Sequence, residues 1–380
     1  MSALPLARSS GARVVLGGAV DAAGLTQPIA PAAGILFGPR GALLVRPGGP
    51  LVVCDTGHHR LLIWRRVPDT DNVPADILIG QPDFGREGRN AKGDAGAVTL
   101  NVPTGVASDG RRLAIADAWN HRVLIWHDIP TCSHRPADLV LGQADFDRTA
   151  PNRGGAPAGD TLYWCYGVAF LGESLAVADS GNRRVLLWER LPERSGQPAD
   201  LVLGQASFDC RDENAGEGGG PRGMRWPHAV AAAAGALFVA DAGNNRIMAW
   251  DHIPGTNGAP CDVVLGQRDR RGLDHNQGAY WPTAASLNMP YGLTVSGDLL
   301  VAADTANSRL LGWPLDGLAE GAAAERLAGQ PDFTAKGDNR WDVPARDSLC
   351  WPYGIDACGK TLVIADSGNN RVLLWERADD

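Results

Sequence analysis

Short apolar runs follow one another along nearly the whole chain, each ended by Gly, Pro, Asp or Asn. Residues 103–142 show the arrangement: "PTGVAS", a turn at Asp109-Gly110, "RLAIAD", a corner at "WNH", "RVLIW", a proline-bounded loop "DIPTCSHRPA", then "DLVLG". Aliphatic and β-branched runs of this length between turn residues predict four short antiparallel strands. Several runs are apolar without strict alternation, which predicts sheets buried on both faces. No stretch reads as an amphipathic helix.

The four-strand pattern is copied along the chain. "VCDTGHHRLLIW", "IADAWNHRVLIW", "VADSGNRRVLLW", "VADAGNNRIMAW", "AADTANSRLLGW" and "IADSGNNRVLLW" carry Asp55, Asp117, Asp179, Asp241, Asp304 and Asp366, spaced by 62, 62, 62, 63 and 62 residues. An Arg lies five residues after each Asp and a Trp nine after. One supersecondary unit repeated at a fixed period predicts a repeat fold. Four-stranded units stacked radially make an all-β, six-bladed β-propeller in a single domain, with blades at about 39–80, 103–142, 165–204, 227–266, 290–329 and 352–376.

The sixth unit stops after "RVLLWERADD" and lacks a fourth strand, whereas "RVVLGG" at 13–18 has no unit of its own. From Gly18 to Asp55 is 37 residues, matching the 36 or 37 from each later "GQ" to the next Asp. Strand 13–18 is therefore expected to complete the last blade, since an open ring would leave an unpaired strand edge and a bare apolar face.

At "IADSGNNRVLLW" and its variants, preceded by "P-x-G-[VIL]", the chain resembles the NHL-repeat β-propellers, and the resemblance recurs in all six units. The units are longer than usual for that family. They look like a bacterial subgroup whose repeats read "ADLVLGQPDF…N…P-x-G". The resemblance implies the fold without fixing an activity, because the family spans protein-binding scaffolds, RNA binders, sensor domains and a metal-dependent lyase.

The recurrent residues read as architecture. Asp can accept backbone N–H groups of the corner, Arg can pair with a carboxylate or with carbonyls of the next blade, and Trp can pack between blades. Asn90, Asn152, Asn214, Asn276 and Asn339 stand nine residues after the Gln of each "GQ", which suggests amides satisfying loop backbone.

Function is expected where the copies differ and the ring brings them together. The x of "P-x-G" and its equivalents is Arg40, Thr104, Tyr166, His228, Tyr291 or Tyr353, and the residue two before is Gly38, Val102, Trp164, Trp226, Met289 or Trp351. This predicts a channel mouth that is aromatic around units 3 to 6 and polar or small at units 1 and 2. Such residues can either bind a planar or anionic ligand or a peptide, or plug the channel. Cys165 replaces the usual proline of unit 3 and reads as either a thiol or ligand beside His228 or a small buried residue. Trp119, Trp281 and Trp341 extend the candidate surface.

Composition narrows the classes. The 380 residues carry a formal charge of −8, with only three lysines, which argues against a general nucleic-acid binder. No apolar run is long enough to cross a membrane and the first residues lack a signal-like core, so a cytoplasmic protein is expected; it is also read as a monomer. Seven cysteines without paired spacing suggest no disulfide framework. The eight histidines scatter, without zinc-site spacing. The reading is a non-catalytic scaffold without cofactor or metal, binding a protein partner or small ligand through Arg40, Trp164, Cys165, Tyr166, Trp226, His228, Tyr291, Trp351 and Tyr353. The alternative is a metal-dependent lyase or hydrolase using His228, Tyr166 and Tyr353.

Overall fold

The computed structural model describes residues 3–18 and 29–378. In blades 1 to 5 each repeat forms an antiparallel sheet whose strands run in chain order from the centre outwards. Blade 2, for example, is built from Pro103–Ser108, Leu113–Asp117, Arg122–Trp126 and Leu139–Leu141. The inner strands of the other blades are Gly41–Leu44, Cys165–Leu171, Pro227–Ala233, Pro290–Ser296 and Pro352–Cys358. These inner strands touch in the closed order 1-2-3-4-5-6-1. The fold is a six-bladed β-propeller.

Burial on both faces follows from this stacking. Along Leu51–Asp55 the pleat sends Leu51 and Val53 into the interface with blade 6, and Val52 and Cys54 into that with blade 2. Each of the six blade interfaces thus has its own apolar cluster. The Trp of every third strand packs against the preceding blade: Trp188 with blade 2, Trp250 with blade 3, Trp375 with blade 5. The indole N–H of Trp64, Trp126, Trp188, Trp250 and Trp313 donates to a carbonyl nine residues on, in the outer loop of the same blade.

Ring closure is as expected, and wider. Val14–Gly17 pairs antiparallel with Arg371–Glu376, with Val14 opposite Leu374 and Gly17 opposite Arg371. The residues before this strand replace the outer loop that blade 6 lacks. Trp375 Nε1 donates to Arg8 O at 2.8 Å, as the other tryptophans do to their own outer loops. Leu4–Pro5 adds a parallel fifth strand to the edge of blade 5, beside Arg326–Ala328. The fully buried Leu6 fills the interface between blades 5 and 6.

The repeated corner explains the Asp, Arg and Asn positions. In blade 3, Asp179 accepts from Arg184 Nε at 2.8 Å, Asn182 Nδ2 at 2.7 Å and the backbone N–H of Tyr163 at 2.7 Å. The Arg184 guanidinium also donates to Phe208 O in the outgoing loop, and to Ala158 O and Thr161 O in the incoming loop at 2.9 and 3.0 Å. One buried ion pair thus fastens a corner and the loops on either side. The loop asparagines do something different from satisfying loop backbone: the Asn152 and Asn182 amides pair with each other at 3.0 and 2.8 Å, so each inter-blade loop is tied to the next blade's corner. In blade 1 His58 takes that place, between Asp55 and Ile29 O.

Glycine in "P-x-G" is a packing requirement. A Cβ on Gly105, Gly167 or Gly354 would overlap the backbone carbonyl of Tyr166, His228 or Arg40 on the next inner strand.

Two outcomes follow. Removing residues 1–17 strips a strand and an outer loop from the seam, and is expected to give aggregated protein without a cooperative melting transition. A truncated, soluble monomer with the full-length melting curve would refute closure by this segment. Arg184→Ala leaves Asp179 buried without its counter-ion and is expected to cost about 3–5 kcal/mol in denaturant unfolding.

Candidate functional site

The corners between second and third strands and the inter-blade loops share one face, where they enclose a cavity of about 1190 Å³. Each corner is a single 3₁₀ turn followed by a left-handed residue: His59, His121, Arg183, Asn245, Ser308 or Asn370. In five of the six, this side chain accepts the backbone N–H of the next blade's rim residue. His59 Nδ1 takes Val102 N at 3.0 Å, His121 Nδ1 takes Trp164 N at 3.0 Å, and Asn245, Ser308 and Asn370 take Met289, Trp351 and Gly38. All five rim residues so held have φ near +50°, a conformation that needs such support in a non-glycine residue. Arginine cannot accept. At the third corner Arg183 instead lines the cavity, and Trp226 beyond it is not left-handed.

The first residues of the inner strands make the floor. His228 stacks between Tyr166 and Tyr291, with ring centroids at 4.8 and 4.3 Å and planes within 18°. Tyr353 lies 4.5 Å from Tyr291 and beneath the Arg40 guanidinium. The carbonyl of Trp226 accepts from His228 Nδ1 at 3.0 Å. These five residues also line the narrower channel below, so the stack stands between the two spaces. Burial pushes the His228 imidazole down to about 4, with Arg40 adding to the effect.

Above the floor stand Trp119, Trp164, Trp226 and Trp351, each 40–45% exposed. Tyr163 stacks on Trp164 at 4.6 Å. Of the predicted residues, Arg40, Trp164, Tyr166, Trp226, His228, Tyr291, Trp351 and Tyr353 all line the cavity. Cys165 does not. It is one residue from Tyr166, so the pleat turns it to the opposite side of the strand, into the interface of blades 2 and 3. There its thiol donates to Arg122 O at 3.2 Å, and burial, with Asp179 and Asp117 nearby, pushes its pKa well above the ordinary range. Its thiol therefore faces away from His228 and the cavity. Trp281 and Trp341 are exposed on loops outside the cavity.

The cavity leans towards units 1 to 3, where Gly38 and Val102 are too small to fill it. It is not bounded by Met289. Sequence reasoning did not single out Tyr163, Arg89, Arg183 or Arg211. Only Arg183 carried a signal, as the one corner residue without an acceptor side chain.

No family model matches the chain, and no curated protein matches it significantly. Solved structures match the fold. A protein of unknown function from Bacteroides thetaiotaomicron aligns with 91% of this chain and 71% of its own at 15% identity and a TM-score of 0.53. The WD40 propeller domain of Doa1 aligns over 97% of both chains at 8% identity and a TM-score of 0.50. U3-55K aligns over 97% of this chain and 99% of its own at 11% identity and a TM-score of 0.51. At these identities the likeness is one of fold.

Two rim fastenings depend on neutral imidazoles. Burial lowers the pKa of His59, with Arg89 adding to the effect, and brings that of His121 to about 4. An unfolded histidine titrates near about 6.5, so the unfolded chain binds more protons in this range. The stability from His121 is present above about pH 6.5 and is lost as pH falls towards 4, and that from His59 falls in the same direction. His121→Asn keeps an acceptor, as Asn245 and Asn370 do, and is expected to flatten the fall in melting temperature between those pH values.

Proposed function

We propose that this NHL-type propeller works by binding and not by catalysis, holding a segment of a partner protein or a small ligand in the cup. The observation that carries this is the set of four half-exposed tryptophans standing over a stacked aromatic floor. Indole rings give large contact area at small conformational cost, and such rings over a concave base are typical of binding hot spots. The fold itself selects no activity.

The lyase or hydrolase reading is less well supported. His228 has both ring faces covered and Nδ1 engaged, leaving little freedom to ligate or to shuttle protons. No group of three or more His, Cys, Asp or Glu side chains among the described residues is placed to hold a metal.

The test is capture from native lysate by the wild type and by the Trp164→Ala/Trp226→Ala double variant. Both side chains project from the rim, so the variant should keep its melting temperature within about 1 °C, as surface substitutions do, and lose the captured species. Retention of the same species by a folded double variant would place binding elsewhere.

A further inference from the structure

We propose that the cup's ligand is a carboxylate-rich peptide segment, a proposal that rests on the binding reading above. The cavity is lined by Arg40, Arg89, Arg183 and Arg211 and by no Asp or Glu, in a chain whose formal charge is −8. None of the four arginines has an ion-pair partner among the described residues. Some loop arginines elsewhere do, such as Arg153 with Asp160, Arg225 with Glu213 at 3.3 Å and Arg346 with Asp71 at 2.7 Å, so what sets the cavity apart is four arginines gathered around one space without a carboxylate. The carboxylates nearest in sequence, Glu87, Asp212 and Glu213, stay outside the lining.

The departure at the third corner sharpens the point. Five corners spend their left-handed residue on fastening the rim, and the third presents Arg183 instead. One Arg183 nitrogen donates to Arg211 O at 3.1 Å and its Nε is buried without a partner. That leaves a guanidinium fixed at the cavity wall with no carboxylate paired to it, a group that suits a carboxylate.

Size and placement favour a peptide over a single small anion. The volume of about 1190 Å³ exceeds the range of about 300–1,000 Å³ usual for drug-sized ligands. The positive groups come from separate walls: Arg89 from the loop after blade 1, Arg183 and Arg211 from blade 3 and the loop after it, and Arg40 from the floor. A chain with several carboxylates and intervening apolar side chains can meet these groups and the tryptophans together. A nucleic-acid strand fits less well. The aromatic stack bars threading, and phosphates beyond the cup would meet a net acidic protein.

Tryptophan emission reads the test directly, since four indoles line the cup. The probes are an end-capped hexapeptide of alternating glutamate and leucine, the same peptide with glutamine for glutamate, and hexathymidylate. The glutamate peptide is expected to bind about tenfold more tightly than the glutamine peptide, and to weaken as salt rises from about 50 to about 300 mM. Arg89→Gln and Arg183→Gln should each weaken it about fivefold with an unchanged melting temperature. Failure of the glutamate peptide to bind, or tighter binding of hexathymidylate, overturns the proposal. Equal binding of the two peptides also overturns it. If that binding disappears in Trp164→Ala/Trp226→Ala, the cup survives as a binding site and only its carboxylate preference falls.

Discussion

A carboxylate and a guanidinium, both withdrawn from water, sit at every corner of this ring. Burying two such charges costs several kcal/mol per ion unless each finds nearly all its hydrogen-bond partners. Here the partners are the incoming loop, the outgoing loop and a neighbouring amide, so the demand for compensation itself dictates where the loops run. Everything on the loop-rich face inherits that geometry. The N–H that Asp179 accepts belongs to Tyr163, one residue before Trp164, so the buried pair sets the height and heading of the rim.

The same arrangement continues across the chain ends. Ser367 donates to Pro39 O as Thr56 does to Pro103 O, and Asn370 accepts Gly38 N as Asn245 accepts Met289 N. The seam is therefore closed on the inner side by repeat contacts, and on the outer side by the strand Val14–Gly17 and by Arg8 under Trp375.

How much of this was legible in the sequence depended on what repeats. The period of Asp, Arg and Trp revealed six sheets, and counting from Gly18 to Asp55 revealed the closing strand. The role of Leu4–Arg8 was not legible, because apart from Leu6 it works through backbone hydrogen bonds that any residues can supply, and shares no motif with the loops it replaces. Of the two readings of Cys165, the structure agrees with the small buried residue, and its place among the cup residues fails because strand residues alternate faces. The lean of the cavity towards units 1 to 3 was also hidden. A small residue such as Gly38 reads as the absence of a feature, yet in a ring of large side chains it is what makes the space.

The third corner shows how a repeat fold acquires an individual site. Five rim residues are held left-handed by an acceptor from the preceding corner, and strain at those positions is offset by that bond. Placing arginine at the third corner removes the bond, and Trp226 keeps an ordinary backbone conformation. The local fastening is lost, but the Asp241 carboxylate still holds Arg225 N at 2.9 Å, one residue earlier, so the rim does not collapse. Redundancy in the architecture thus leaves one position where a side chain can be given over to the cavity. The guanidinium that results donates to another arginine's carbonyl and lines a cavity wall that carries no carboxylate.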